Sequence, residues 1–348
     1  MSNLAIFFPN TRLPELGKIK VGGLGEPKQS QAGGAYRVPM KYDHFLITTM
    51  SRGPDKGGAR GDLIPDVDLM DQLKAKYADP TDGQLRQIPI FVLSDDIDEV
   101  MQTAYVWYGG KVVGARSDGR RVTWFNDRTN GKPLAKPIEE DWKPEYLELK
   151  NSKGALLFKL HTCLNVVIGA AEAKWGGVYK FRTTSVISSR QLYAGLLHIW
   201  NLTGGILVGL PLRLVVRPVQ VAPEGKAITV YVVHIELRGG ELEQVQLEAT
   251  KRAQWQLENK QRVKVLQIEY HKLLSAPGNE PPSEAAEINE EFQPDTVGDA
   301  PPPPPVDAYW HGVLDGKGPV IDAESRPVES PEPGAAEAED DPDRPLLL

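Results

Sequence analysis

Cysteine is nearly missing from this chain: Cys163 is the single one in 348 residues. That excludes an intrachain disulfide framework and any zinc site built from several thiolates, and it fits a reducing compartment. Long hydrophobic runs are missing as well. The longest, Ile206 to Val216, is interrupted by Arg213 and falls well short of the ~18 apolar residues of a membrane span. The apolar stretch Leu4 to Phe8 is too short for an export signal. A cytoplasmic protein with no membrane partner is expected.

Signatures of catalysis are equally scarce. Gly22, Gly23 and Gly25 lack the Lys-Ser/Thr that completes a phosphate-binding loop. No helix carries paired histidines, and no Ser or Cys stands out as a nucleophile beside a His. His161 and Cys163 are two candidate ligands on one strand face, but zinc takes four, and two such residues in an apolar strand read more simply as core. Asp95, Asp96, Asp98 and Glu99 could hold a hard cation, yet carboxylates at a helix start are the commoner arrangement. No catalytic residue, no cofactor and no metal are expected, and the chain is read as a binding protein.

What is present is a charge asymmetry. The net charge is -7. Residues 275–348 hold 18 carboxylates against Lys317, Arg326 and Arg344, a balance of -15, which leaves the preceding body at +8. Between Asn151 and Gly240 there are 10 basic and 3 acidic residues. Such asymmetry points to nucleic-acid contact by the body and to an acidic tail.

The pattern divides the chain into an α+β body over residues 1–240, with sub-parts 1–150 and 151–240, a long polar helix over 241–274, and a tail over 275–348. The expected fold is a mixed, largely antiparallel sheet with a few packed helices. Lys18 to Val21 and Phe45 to Thr49 read as strands, and Asp66 to Tyr77 as a helix with Leu69, Met70 and Leu73 on one side. Tyr105 to Arg116 and Arg121 to Phe125 read as a hairpin around Ser117-Asp118-Gly119, and Asn126 to Lys153 as irregular. Ala155 to Ile168 is a long apolar strand. Val178 to Thr184 alternates, with Lys180 and Arg182 on one face. A helix opens at Ser188 with Leu192, Leu196, Ile199 and Trp200 as its buried stripe, and Gly204-Gly205 ends it. Leu212, Leu214 and Val216 point inward from a strand that turns Arg213 and Arg217 outward, and Ile228 to Leu237 reads as a central strand. In the long helix, Arg252, Gln256 and Asn259 interrupt a partial heptad, which describes an arm packed at its two ends. The tail, with Pro301 to Pro305 and a Pro/Ala/Glu-rich run, reads as disordered.

Two candidate sites follow. Lys180, Arg182, Arg213 and Arg217 could line one basic face for DNA backbone or an acidic partner; plain solvated strand faces are the alternative. Tyr309 and Trp310 form an aromatic island in the tail, either a linear docking motif or a chance cluster.

The segment Gly177 to Leu237 resembles the recombination-directionality-factor-like family of phages and integrative elements. The resemblance rests on Phe181 to Thr184 (FRTT), Leu202 to Gly205 (LTGG) with Leu210 to Leu214, and Leu164 to Ile168 (LNVVI). Asp43 to Thr49 (DHFLITT) and Leu85 to Leu93 (LRQIPIFVL) fit as well, so that it covers roughly Gly17 to Ala249. Relatives usually carry several cysteines between a GDG-like turn and the LNVVI-like strand, which implies a zinc-binding insert. Here Lys111 to His161 has Ser117-Asp118-Gly119 and no cysteine. The resemblance implies an accessory factor acting on mobile-element DNA, with a serine recombinase as the possible partner. A DNA-binding accessory that works without an integrase is the other expectation. Oligomeric state is left open.

Overall fold

The structure, a computed structural model, describes residues 12–29, 35–54, 61–109, 112–150, 156–170, 176–221, 227–239, 242–259, 270, 273–274 and 276–292. The strand expected over Leu4 to Phe8 and the island Tyr309-Trp310 lie outside the described residues.

The elements run β1 (Glu15–Gln29), β2 (Ala35–Arg52), β3 (Leu63–Pro65), α1 (Val67–Tyr77), β4 (Gln87–Phe91), α2 (Ile97–Val100), β5 (Met101–Gly109), β6 (Val112–Ser117), β7 (Arg121–Asn126), β8 (Pro133–Asp141), β9 (Lys159–Ile168), β10 (Val178–Thr183), α3 (Val186–Leu202), β11 (Leu212–Val221), β12 (Ile228–Leu237), α4 (Leu242–Glu258) and α5 (Pro282–Phe292). All twelve strands hydrogen-bond into one mixed sheet in the order β3-β2-β1-β10-β9-β5-β6-β7-β8, with β4, β11 and β12 branching from β9. The β1–β10 pairing is parallel, and the pairings of β9 with β5, β10 and β4 are antiparallel. The protein is α+β, as its pattern implied. The sub-parts 1–150 and 151–240 do not separate, because β9 and β10 insert between β1 and β5.

Strand β9 is the axis of this arrangement. It pairs with β5 through Lys159–Leu164, with β10 through Thr162–Val166, and with β4 at Val167 and Ile168. From His161 to Ile168 the strand is buried on both faces, which is why LHTCLNVVI reads as a nearly continuous run. Leu164 and Val166 turn into the main core, and Thr162 Oγ1 lies 2.8 Å from Ser189 Oγ of α3. The intervening His161, Cys163 and Asn165 turn to the other face.

Helix α3 covers the inner face. Its cap is Ser185, whose Oγ accepts from the Ser188 amide at 3.3 Å, so the helix begins three residues earlier than the Ser188 start expected. Leu192, Leu196 and Ile199 are buried in the core, whereas Trp200 is substantially exposed. Gly204 and Gly205 end the helix at φ 67° and 97°, a left-handed conformation that costs glycine little. At Gly195 the helix runs so close to β12 that a Cβ would meet the Ile235 oxygen at 2.7 Å.

Three further expectations change. Ile228–Leu237 is not a central strand; among the described residues β12 pairs with β11 alone. Its apolar content answers to α3, which packs on it, and not to two flanking strands. Of the stretch Asn126 to Lys153, expected to be irregular, residues 126–150 are described and are not irregular. They form β8 and a 3₁₀ turn at Pro144–Glu148 that close over Trp124, Tyr146 and Phe158, with Trp107 and Trp142 packed alongside. This cysteine-free segment is therefore held by edge-to-face rings, such as Trp124–Phe158 at 5.5 Å and Trp142–Tyr146 at 5.5 Å.

The third change concerns the tail. Disorder was expected from residue 275, yet Pro282–Phe292 is a helix. Proline at its first position, Glu284 in its first turn, and Ala285, Ile288 and Phe292 at helical spacing form a local helix signal within an acidic, proline-rich composition. Residues 293–348 lie outside the described ones. In α4, the polar residues that broke the heptad hold the helix down: Arg252 reaches the Gly209 carbonyl at 3.4 Å and Gln256 reaches Asp95 at 2.5 Å, beside the buried Val245 and Ala249.

Candidate partner interface

The outer face of the central strands is polar in register. Lys18 of β1 sits opposite Thr48 of β2 and Lys180 of β10, and Lys180 sits opposite Asn165 of β9. One row on, Arg182 lies opposite Cys163, and Cys163 opposite Gln102 of β5. Alternation produces this: Ile19, Tyr179 and Phe181 go to the core, so Lys18, Lys20, Lys180 and Arg182 go outward. Further along, the same face turns apolar through Ala104, Val106 and Tyr108 of β5.

Helix α5 lies across both zones. Its apolar stripe, Ala285, Ile288 and Phe292, packs on Ala104, Val106, Tyr108 and Val113. Its acidic stripe, Glu284, Glu287 and Glu291, is one residue out of phase and meets the cations. Glu284 lies 2.9 Å from Lys180 and also pairs with Arg182, and Glu287 pairs with Lys18 and lies 3.1 Å from Arg52. Glu291 lies 3.0 Å from Lys20. From the sheet, Glu15 completes the cluster at 2.8 Å from Lys180 and 3.5 Å from Arg182. Both ends of the helix are tied: Tyr108 donates to Glu280 at 3.2 Å, and Lys159 donates to the Phe292 carbonyl at 3.0 Å, a cation at the helix C-terminus.

Burial sets the protonation of this layer. It lowers the Lys18 ammonium to about 7, with Arg182 adding to the effect while Glu15 and Glu291 oppose it. It pushes the Glu280 carboxyl up. It works against the Glu284 charge too, but Arg182 and Lys180 outweigh it and hold that carboxyl below its ordinary range. His161, boxed between Tyr108 at 5.0 Å and Phe292 at 5.8 Å, is pushed down by burial to about 3, and burial raises the Cys163 thiol. His161 and Cys163 are thus core residues of a covered face.

The four cations read as one face take two sets of partners. Lys180 and Arg182 belong to the layer under α5. Arg213 and Arg217 lie on β11, which pairs with β4 and β12, and both bind Glu236 of β12, at 2.9 and 2.6 Å. His234 also reaches Glu236, at 2.7 Å, and Arg213 reaches Gln87 at 3.1 Å. The acidic turn serves packing: Asp96 caps α2, Glu99 accepts from Ser94 at 2.6 Å, and Asp95 accepts the Leu207 and Val208 amides at 2.6 and 2.8 Å. Glu15, Lys18, Lys20, Arg52 and the α5 carboxylates went unread in the sequence, although the alternation of β1 and the spacing in α5 both mark them.

The structure is thus a large mixed sheet with one basic face that a helix covers. The family model described as Gp3-like, recombination directionality factor-like, matches residues 16–238, and the chain belongs to that family. The match runs from β1 to the end of β12 and leaves out α4 and α5. No curated protein and no solved structure matches the chain. No helix among the described residues is long and apolar enough to cross a membrane.

Proposed function

We infer that this protein is a recombination accessory factor that acts by binding a recombinase of the serine class, in the cytoplasm, without catalysing a reaction itself. The observation that carries the reading is the family membership of residues 16–238, which contain the twelve-stranded sheet except for Glu15. A sheet face with cations beside an apolar strip, already seating a helix, supports contact with protein more than with a phosphate backbone. A DNA-contacting accessory is the second reading. It is favoured by the +8 body and by Arg217, whose side chain is 59% exposed. The test is capture by the tagged full chain from its host, with and without nuclease, scored for recombinase and for DNA. A recombinase retained after nuclease treatment supports the first reading. DNA-dependent retention with no recombinase would replace it by the second.

A further inference from the structure

We propose that the outer face of β1, β10, β9 and β5 is a docking surface for an acidic amphipathic helix of a partner protein, and that α5 is its resident, displaceable occupant. The proposal names the kind of partner for the interface assigned above and rests on that reading.

Three observations carry it. The face discriminates a helix by two parallel features: Lys18, Lys180 and Arg182 take carboxylates at the positions of Glu284 and Glu287, and Ala104, Val106 and Tyr108 take small and aliphatic side chains at the positions of Ala285 and Ile288. A nucleic-acid backbone would satisfy the cations but leave the apolar strip uncovered, whereas an amphipathic helix uses both. Second, within this cluster the carboxylate from the sheet is Glu15, and the others come from α5. The covering charge is therefore supplied by a segment outside the matched family region. Third, α5 holds on by a small apolar stripe of three residues and by charge, so its dissociation does not dismantle the main core, which α5 does not enter.

A tethered helix has an effective concentration of roughly millimolar order, so a free partner helix must either bind more tightly or meet a chain whose α5 is weakened. The single cysteine reports which state is present. Cys163 is 4% exposed and lies opposite Arg182 on the covered face, so release of α5 opens it to a thiol reagent.

The test uses the full chain with Ile288→Asp, which sets a charge against Val106 and Tyr108, and independently with Glu284→Lys plus Glu287→Lys. Expected are at least a tenfold faster reaction of Cys163 with an aromatic disulfide and a retained cooperative melt. Also expected is binding of a labelled peptide of residues 276–292 to either variant and not to the unaltered chain. A designed helix that keeps only the spacing of Glu284, Ala285, Glu287, Ile288, Glu291 and Phe292 should bind as well, and the same helix with Gln for Glu should not. Cys163 still protected in both folded variants would show α5 to be a fixed part of the protein and overturn the proposal. So would loss of cooperative melting in both, or an opened face that binds duplex DNA and neither helix. No recombinase enters this experiment, so a failed docking surface and a failed recombinase assignment are separate results.

Discussion

Arg182 and Arg217 are both strand arginines that alternation turns away from the core, and both end on glutamates, yet they inhabit opposite regimes. The Arg182 side chain is 10% exposed, between Glu15 and Glu284 under α5; that of Arg217 is 59% exposed and shares Glu236 with Arg213 at the rim of β11. Coulomb attraction is similar in kind at both places. What differs is desolvation: with α5 seated, a buried charge stripped of its partner stays out of water, while an exposed one returns to it at little cost. The contrast teaches that an outward position in an alternating strand becomes a surface only if nothing later in the chain comes back to cover it.

The largest expected effect breaks this comparison directly. Arg182→Ala leaves Glu15 and Glu284 with Lys180 as their one shared cation in a buried layer and should cost about 3–5 kcal/mol, while Arg217→Ala should cost no more than about 1 kcal/mol. Urea unfolding of the two variants checks it; equal losses would mean that the covered layer is wet.

Acid titration sharpens it next. His161 is held neutral down to about 3, while in the unfolded chain it protonates near 6.5. The unfolded state therefore binds the extra proton between those values, and stability is lost as pH falls from about 6.5 toward 3, by on the order of 1 kcal/mol per pH unit. His161→Phe should flatten that limb of the pH–stability curve. At β11, Glu236 resists its partial burial through the His234 hydrogen bond and the Arg217 charge, so its carboxyl lies below the ordinary 4.5. Its contribution is present above that value and lost only below it, so Glu236→Gln should leave the fall between pH 6.5 and 5 unchanged.

On the alkaline side, the Lys18 ammonium is lowered by burial and by Arg182 to about 7, against 10.5 when unfolded, with Glu287, Glu15, Glu291 and Lys20 as its charged neighbours. Between these values the unfolded chain binds more protons, so this group makes stability rise with pH from about 7 to 10.5. Lys18→Met should remove that rise, read as melting temperature against pH. The smallest expected effect is none: a chelator should leave the melt unchanged, because the described residues of this cysteine-free region close on Trp124, Trp142, Tyr146 and Phe158. A chelator-induced fall, with one zinc per chain by elemental analysis, would overturn that account.

Much of the architecture was legible because it is local. Periods of two and 3.6 located β9, β10, α1 and α3, and Gly204-Gly205 marked the end of α3. The errors have separate causes. Ile228–Leu237 was given a central place because apolar residues on both faces were credited to flanking strands, when a helix supplies the second contact. The acidic segment after residue 275 was read by its composition, which is dominated by proline and glutamate, and the short stripe Ala285, Ile288 and Phe292 was averaged away. The candidate basic face was right about which side chains point outward and silent on their partners.

By itself the sequence determined the fold class, the family and the charge asymmetry between body and tail, since composition, periodicity and motif order are properties of the chain alone. Only the tertiary structure decided that Lys180 and Arg182 are sealed while Arg217 is open, and that Cys163 is buried opposite Arg182. Those facts join Lys18, Lys180 and Arg182 to Glu284 and Glu287 across more than a hundred residues. No local pattern encodes such a pairing, because a carboxylate stripe is compatible with water and with any cationic face; where the chain returns in space selects between them.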